Sequence, residues 1–220
     1  MQQILVPVSV SNSRFSTALL ESALTRICQR FHYVTFFLAD KLYLYNKVRE
    51  VIGGEQLANA LFDYRNRNSE TQDRRRWLAK LDERVLRPAG IQSRVLTIDD
   101  VSDVRLVNII RNVVLAYNTI PSFEQDVLQA AKYFYHSHGL DSPTKKQLRL
   151  SAAYILEEIG LNIRIRVLDS IGYEYYAGDY VQPLLNIYSG KYSISVQELA
   201  EVDRSQARFV FLHQLGELDL

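Results

Sequence analysis

Residues 4–39 read ILVPVSVSNSRFSTALLESALTRICQRFHYVTFFLA and hold two short apolar runs, residues 4–10 and 33–39. Continuous runs rich in Val and Phe are typical of strands that are covered on both faces. Between the two runs, apolar side chains recur every four residues and predict a helix with one apolar face. They are Phe15, Leu19, Ala23, Ile27 and Phe31. A strand, a helix and a strand within about 35 residues form a βαβ unit, so we predict an α/β fold with a mostly parallel sheet flanked by helices.

The middle of the chain continues this alternation. A long charged helix is predicted to reach Arg87 and to stop at the PAG sequence of residues 88–90. Residues 93–98 read as a third strand, and residues 104–117 and 122–138 read as two helices.

The last third of the chain is predicted from weaker patterns. Ser142 and Pro143 resemble the capped start of a helix, which we expect to stop at Gly160. Residues 162–168 alternate like a strand, and residues 207–212 read as the last strand. No linker, repeat or low-complexity tract divides the sequence, so we expect one catalytic domain over residues 1–220.

The composition is typical of a globular protein and excludes several kinds of site. The 220 residues are 47% hydrophobic, which is ordinary for a globular protein, and the net charge is +1. Cys28 is the only cysteine, so disulfides within the chain and thiolate-rich metal sites are excluded. Without a signal-peptide pattern or an apolar run of 18 residues, we expect a cytoplasmic protein with no membrane partner.

The polar loop after the first strand is the first candidate site. In an open parallel sheet, ligands bind beyond the carboxyl ends of the strands, where Ser9 and Asn12 are expected. A serine there can act as a nucleophile, and Asn12 or backbone N–H groups can hold an oxyanion. Serine and asparagine also cap helices, and Ser13 or Ser16 could do so. These residues alone favour capping.

A tyrosine and a glutamate on the later helix form the second candidate site. Tyr154 and Glu158 are four residues apart, so on a helix they share one face. This pair could bind a substrate ammonium group, although an exposed acid beside a half-buried tyrosine is the more common case. Glu157 points about 100° away and is expected to be solvated.

The charged helix carries an excess of basic residues. They are Arg74, Arg75, Arg76, Lys80, Arg84 and Arg87. Arg76, Lys80, Arg84 and Arg87 would form one stripe, while Leu78, Leu81 and Val85 would face the core. Such a stripe on a nearly neutral protein is typical of phosphate-backbone binding, and a solvated helix face is the alternative.

The third candidate site is aromatic. Tyr173, Tyr175, Tyr176 and Tyr180 lie in the sequence YEYYAGDY, and one of these hydroxyls could relay a proton. The four histidines are scattered and no nucleotide-binding loop occurs, so we expect no metal and no cofactor.

Taken together, VSVSNSRFS at residues 8–16, the arginine-rich helix and the Tyr-x-x-x-Glu pattern at residues 154–158 resemble the cyclodipeptide synthases. That family has a Rossmann-like fold similar to the catalytic domain of class I tyrosyl- and tryptophanyl-tRNA synthetases. It makes 2,5-diketopiperazines from two aminoacyl-tRNAs. The resemblance therefore implies aminoacyl-tRNAs as substrates, and we expect no DNA partner and a monomer.

The resemblance also implies roles for individual residues. Ser9 matches the family's nucleophile, and Tyr154 with Glu158 matches the pair that holds the aminoacyl amino group. Tyr176 is our choice for the late catalytic tyrosine, with Tyr175 and Tyr180 as alternatives. The basic residues from Arg74 to Arg87 match the tRNA-binding helix. The substrate pocket is expected to include Leu5, Pro7, Asn12, Phe37 and Leu161.

Two other functions remain open from the residues. A non-catalytic tRNA- or RNA-binding module would use the arginine-rich helix and leave Ser9 as a cap. An unrelated serine acyltransferase or hydrolase would use Ser9 without RNA.

Overall fold

The computed structural model describes residues 2–8, 17–39, 68–137, 139, 141–169, 171–174 and 182–200. In chain order, the strands and helices of these residues are β1 (Gln3–Val8), α1 (Thr17–Ile27), β2 (Tyr33–Leu38), α2 (Asn68–Leu81), β3 (Gln92–Thr97), α3 (Ile98–Val101), α4 (Val104–Thr119), α5 (Pro121–Ser137), α6 (Lys145–Leu168), β4 (Tyr173–Glu174), α7 (Gln182–Tyr188) and α8 (Val196–Ala200). The predicted caps Ser13 and Ser16 and the predicted strand 207–212 lie outside the described residues.

The described strands form a parallel sheet in the order β3-β2-β1-β4. Residues of β1 and β2 pair in register from Gln3 opposite Tyr33 to Val8 opposite Leu38. The predicted α/β class is therefore confirmed, as are the first three predicted strands.

The described residues form two compact units. The first holds those before residue 101 together with residues 171–174, and the second holds residues 101–169 and those from residue 182.

One face of the sheet in the first unit packs against α1 and α2. Alternate residues of β1 and β2 are buried there with Leu24 of α1 and with Leu78 and Leu81 of α2. These strand residues are Ile4, Val6, Val8, Val34, Phe36 and Leu38. The residues between them point to the other face, because successive side chains of a strand alternate. The core-facing prediction for Leu78 and Leu81 is confirmed, and Val85 packs partly buried against the same cluster.

The charged helix ends in two irregular turns. After α2, residues Asp82–Leu86 form a wider π-helical turn and Arg87–Ala89 form a 3₁₀ turn. Gly90 then adopts φ 72°, a left-handed conformation that favours glycine. The predicted stop at residues 88–90 is confirmed.

The second unit is helical. Its core joins α4, α5, α6, α7 and α8 through one apolar cluster that includes Ile109, Phe123, Leu156, Ile163 and Leu199. The helices predicted at 104–117 and 122–138 are confirmed as α4 and α5, and Gly139 follows α5 with φ 77°.

Helix α6 is longer than predicted. It begins after Thr144, whose side chain and that of Gln147 form a reciprocal capping box, and not at Pro143. It then runs through Gly160 to Leu168, so the predicted stop and the predicted strand at 162–168 are wrong.

The error at 162–168 has a physical cause. Ile163 and Ile165 are fully buried, as a strand pattern suggests, but Arg164 between them is buried too. It is paired with the carboxylate of Asp103, so this part of α6 is covered on several sides and shows no polar helix face.

Candidate functional site

The nucleophile is predicted directly after the carboxyl end of β1. Strand β1 ends at Val8, and the carbonyl oxygen of Val8 accepts a 3.1 Å hydrogen bond from the backbone N–H of Ala39. Ser9 is the next residue in the chain. Ser9 itself, Asn12 and Tyr176 lie outside the described residues, so their roles stay predictions.

Three predicted pocket residues share the sheet face opposite to α1 and α2. Pro7 pairs directly with Phe37, and Leu5 lies two residues before Pro7 on the same side of β1. Leu5 and Phe37 are buried, and Pro7 is partly buried. Leu161 is buried within α6 in the second unit.

Two charged residues on this same face were not predicted as site residues. Arg94, Thr35, Leu5 and Glu174 are register partners in turn, so they form one row across the four strands. Arg94 donates a 3.1 Å hydrogen bond from Nε to Thr35 Oγ1, and its guanidinium lies 5.9 Å from the ring centre of Tyr33.

Glu174 is the last residue of this row, on β4. Its side chain is partly buried, and its Oε1 atom is shielded from solvent. A glutamate between tyrosines in a short apolar stretch was the sequence signal for this residue, but its position beside Leu5 depends on strand pairing, which the sequence does not show.

The Tyr154/Glu158 pair lies in the middle of α6. Both side chains are partly buried, and Tyr154 packs against the apolar cluster of the second unit. Their spacing places them one above the other on the helix. A phenol and a carboxylate on one partly buried face can both accept hydrogen bonds from an ammonium group.

The neighbouring glutamate is not solvated as predicted. Glu157 is 1% exposed, whereas Glu158 is partly exposed. The prediction failed because α6 is covered on more than one side, so a rotation of about 100° from Glu158 leads to another packed face and not to water.

An ion pair holds the C-terminal half of α6 to the start of α4. Arg164 Nη2 donates to Asp103 Oδ2 at 2.7 Å and its Nε donates to Asp103 Oδ1 at 3.2 Å. Asp103 also caps α4 by accepting from the backbone N–H of Leu106. Partial burial raises the pKa of Asp103, but the hydrogen bonds from Arg164 and Leu106 outweigh it, and the pKa is lowered overall.

The predicted basic stripe is exposed, but three of its members make ion pairs. Arg76, Arg84 and Arg87 contact carboxylates, while Lys80 makes no ion pair with any residue that the structure describes. The three pairs are Arg76 with Asp73 at 2.6 Å, Arg84 with Glu21 at 3.1 Å and Arg87 with Asp82 at 2.7 Å. Exposed pairs of this kind contribute about 0–1 kcal/mol, so an incoming phosphate can displace them.

Arg74 differs from the other basic residues of α2. It is partly buried, and its guanidinium lies 4.7 Å from the ring centre of Trp77. This contact is a cation–π interaction between residues three apart, a spacing that the sequence contains. Arg75 is exposed.

The described residues contain no group of three or more His, Cys, Asp or Glu side chains that could hold a metal ion. None of their helices is long and apolar enough to cross a membrane.

Solved structures that are similar to this chain include several cyclodipeptide synthases. A cyclodipeptide synthase from Staphylococcus haemolyticus aligns with a TM-score of 0.66 and 13% identity over 90% of this chain and 87% of that chain. A cyclodipeptide synthase from Fluoribacter dumoffii aligns with a TM-score of 0.63 and 18% identity over 86% of this chain and 81% of that chain. A cyclodipeptide synthase from Streptomyces noursei aligns with a TM-score of 0.60 and 16% identity over 98% of each chain.

A Mycobacterium tuberculosis structure, described as showing that cyclodipeptide synthetases are related to type I tRNA synthetases, aligns with a TM-score of 0.57 and 17% identity over 73% of this chain and 65% of that chain. No protein-family model and no curated protein sequence matches the chain. The chain therefore has the Rossmann-like fold of these synthases.

Proposed function

We propose that this protein is a tRNA-dependent cyclodipeptide synthase that joins two aminoacyl groups into a 2,5-diketopiperazine. The observation that carries the proposal is the structural match to cyclodipeptide synthases along 86% to 98% of the chain. In the sequence, the predicted nucleophile, the basic helix and the amine-binding pair follow one another in the order that the family resemblance implies. The proposal treats the whole chain as one catalytic domain.

The proposed reaction has two half-reactions. Ser9 Oγ attacks the ester carbonyl of the first aminoacyl-tRNA, and the tRNA leaves with its 3′-terminal hydroxyl restored. The amine of a second aminoacyl-tRNA then attacks the serine ester, giving a dipeptide on the second tRNA or, after transfer, on the serine. Attack of the first amine on the remaining ester closes the ring. Because an aminoacyl-tRNA is already an activated ester, this sequence requires neither ATP nor a metal.

Positioning of the first amino group falls to α6. Glu158 and Tyr154 stand one turn apart on a helix that is fixed in the apolar cluster, against which Tyr154 itself packs. A rigid helix holds the ammonium group in one place, which reduces the entropy cost of the later attack. Tyr176 is the proposed proton relay between the attacking amine and the leaving oxygen.

Binding of the tRNA body falls to α2 and the turn that follows it. Arg75, Arg76, Lys80, Arg84 and Arg87 are exposed, so their charged groups can approach a phosphate backbone without a change of fold. A protein of net charge +1 has little overall attraction for RNA, so attraction must come from a local concentration of positive charge.

A mass measurement tests the covalent step. The protein is mixed with total aminoacylated tRNA, quenched in acid and weighed intact, and we expect an added aminoacyl mass. Ser9→Ala should remove the adduct and cyclic dipeptide formation, while Ser142→Ala, an exposed serine of the second unit, should leave both unchanged. Cyclic dipeptide is measured by mass spectrometry of the growth medium.

The outcomes separate the three functions. Binding of tRNA without adduct or product would favour an RNA-binding module. An adduct from small activated esters with no response to tRNA would favour a serine acyltransferase. Unchanged product from Ser9→Ala would exclude covalent catalysis through Ser9.

A further inference from the structure

We propose that Asn162 and Tyr188 are positioning residues of the amine-binding pair, and that they hold the carboxylate of Glu158 in the orientation that receives the substrate ammonium group. This inference rests on the proposed function, because it extends the site assigned there to Tyr154 and Glu158. The observation behind it is a 2.9 Å hydrogen bond that the hydroxyl of Tyr188 on α7 donates to Oδ1 of Asn162 on α6.

Asn162 continues the spacing of the amine-binding pair. Tyr154, Glu158 and Asn162 are each four residues apart on α6, so each lies about one turn after the previous one. Side chains of a helix lean toward its N-terminus, so the side chain of Asn162 lies over the turn that carries Glu158. Asn162 is 6% exposed. The next neighbour of the pair along α6 is therefore a buried amide.

The hydrogen bond from Tyr188 fixes the orientation of this amide. In an asparagine side chain, Oδ1 accepts hydrogen bonds and Nδ2 donates them. Because Oδ1 of Asn162 accepts from Tyr188, Nδ2 occupies the other side of the amide, and its N–H groups suit a carboxylate one turn away. A bond from Nδ2 to Glu158 orients that carboxylate and leaves its other lone pairs for the substrate.

Tyr188 is held by its ring as well as by its hydroxyl. The guanidinium of Arg166, four residues after Asn162 on α6, lies 4.3 Å from the ring centre of Tyr188. Tyr188 also packs against the apolar cluster of the second unit. A phenol that is fixed in this way keeps the amide in one orientation. A carboxylate ordered in advance then loses less entropy when the ammonium group binds.

A comparison of two substrates measures recognition of the ammonium group. The first is the aminoacyl-tRNA whose adduct the wild type forms from total charged tRNA, and the second has a hydroxyl in place of the α-ammonium group. The initial rate of acyl-enzyme formation is followed by intact mass at limiting tRNA. The wild type should react roughly 10- to 100-fold faster with the first, the range expected for hydrogen bonds to a charged group. The ratio of the two rates does not depend on the fraction of enzyme that is folded.

Two substitutions test the positioning role. Tyr188→Phe removes only the hydroxyl and should lower the ratio by roughly 3- to 10-fold, the range of one neutral hydrogen bond, because the amide can then turn its oxygen toward Glu158. Asn162→Asp keeps an acceptor for Tyr188 but replaces the Nδ2 donor by an oxygen, so it should lower the ratio at least as much. In a Glu158→Gln background, neither substitution should lower the ratio further, because both act through that carboxylate.

Tyr135→Phe is the matched control. The hydroxyl of Tyr135, a residue of α5 in the same unit, donates a 3.0 Å hydrogen bond to another amide oxygen, the backbone carbonyl of Gln147. Gln147 lies in the first turn of α6, seven residues before Tyr154. The control should lose a similar amount of stability in thermal melts and keep the rate ratio of the wild type.

Four results would overturn the inference and, because an adduct still forms, leave the proposed function standing. They are a ratio near one in the wild type, an unchanged ratio in Tyr188→Phe, an equal loss in Tyr135→Phe, and a loss from Tyr188→Phe that persists in the Glu158→Gln background. If Asn162→Asp does not fold, Tyr188→Phe decides the matter, because it buries no new charge. Absence of any adduct from total charged tRNA would overturn both the inference and the proposed function.

Discussion

At the scale of single residues, two adjacent glutamates of α6 have opposite surroundings. Glu157 is 1% exposed and Glu158 is partly exposed, although they have the same chemistry and neighbouring positions. A helix turns about 100° per residue, so adjacent side chains face different neighbours. The sequence identifies the Tyr154/Glu158 spacing correctly, but it cannot show how many sides of α6 are covered, and this decides the state of Glu157.

The proposed roles of the two glutamates predict different losses. Glu158→Gln keeps the shape and removes the charge, so binding of the substrate ammonium should weaken by about 1.5–3 kcal/mol, or roughly 10- to 100-fold in kcat/KM. Its melting temperature should change little because the side chain is partly exposed. Glu157→Gln should instead lower the melting temperature, because the substitution disturbs the interaction that this buried carboxylate makes. Kinetics and thermal melts on both variants check this, and a similar loss of stability in the two would remove the specific role of Glu158.

At the scale of elements, the sequence predicts correctly those strands and helices whose apolar residues follow a clear strand or helix pattern. Strands β1 and β2 are short apolar runs, residues 93–98 read as a third strand, and α4 and α5 show one apolar face, so each was placed correctly. The C-terminal half of α6 was predicted as a strand because its charged residue Arg164 is buried in an ion pair, so this half of the helix has no solvated polar face that would show a helical period. The partner of Arg164, Asp103, lies 61 residues away in the chain.

This ion pair predicts a pH-dependent stability. The pKa of Asp103 is lowered in the folded protein, so its contribution is fully present above its unfolded pKa and is lost as pH falls through the lower folded value. Asp103→Asn should cost about 2 kcal/mol at neutral pH, less than a fully buried pair because the Asp103 side chain is 39% exposed. The difference from wild type should shrink below about pH 4.

Urea unfolding at several pH values measures this difference. Asp141→Asn removes an exposed pair with His136 and should change the free energy of unfolding by about 0.5 kcal/mol or less. A cost for Asp103→Asn that stays the same from neutral to acid pH would show that the charge of the Asp103 carboxylate is not what it contributes, since asparagine caps a helix as well as aspartate does.

The close contact of α4 with α6 depends on a glycine. A Cβ at Gly160 would lie 2.6 Å from Cγ1 of Ile110, a β-branched residue with little freedom to move aside. Gly160→Ala should therefore destabilise the protein by about 1–2 kcal/mol, although alanine favours a helix by about 1 kcal/mol.

A double-mutant cycle isolates this contact. Ile110→Ala alone leaves a cavity and should cost about 2–4 kcal/mol, and the methyl group that Gly160→Ala adds fills part of that cavity. The double variant should therefore be more stable than the sum of the single effects predicts, by about 1 kcal/mol or more. Additive costs in thermal or urea unfolding would show that Gly160 is not a close-approach position.

At the scale of the whole molecule, the distribution of charge matters more than its sum. The chain has 26 basic and 25 acidic residues, yet six of the basic residues lie between Arg74 and Arg87 with two acids among them. The sequence predicts this excess. It does not predict that Arg84 reaches Glu21 on α1, since this contact depends on how α1 lies beside the turn that follows α2.

The basic stripe predicts a salt dependence that distinguishes tRNA from small esters. Each basic residue that neutralises a phosphate releases counterions, so replacing Arg76, Lys80 and Arg84 by alanine should flatten the slope of log affinity against log salt by about two to three units. Acylation of Ser9 by a small activated aminoacyl ester should persist, because the stripe would contact the tRNA and not the amino acid.

A matched triple variant serves as the control for this measurement. Lys145, Lys146 and Arg149 are also three exposed basic residues of one helix, but they lie on α6 in the second unit. Replacing them by alanine removes the same net charge and should leave the slope within about one unit of the wild type, because these residues are not part of the basic stripe that is proposed to neutralise the phosphates. If the two variants flatten the slope equally, tRNA responds to net charge alone. The stripe would then be a solvated helix face, and the proposed function would rest on the fold and on Ser9.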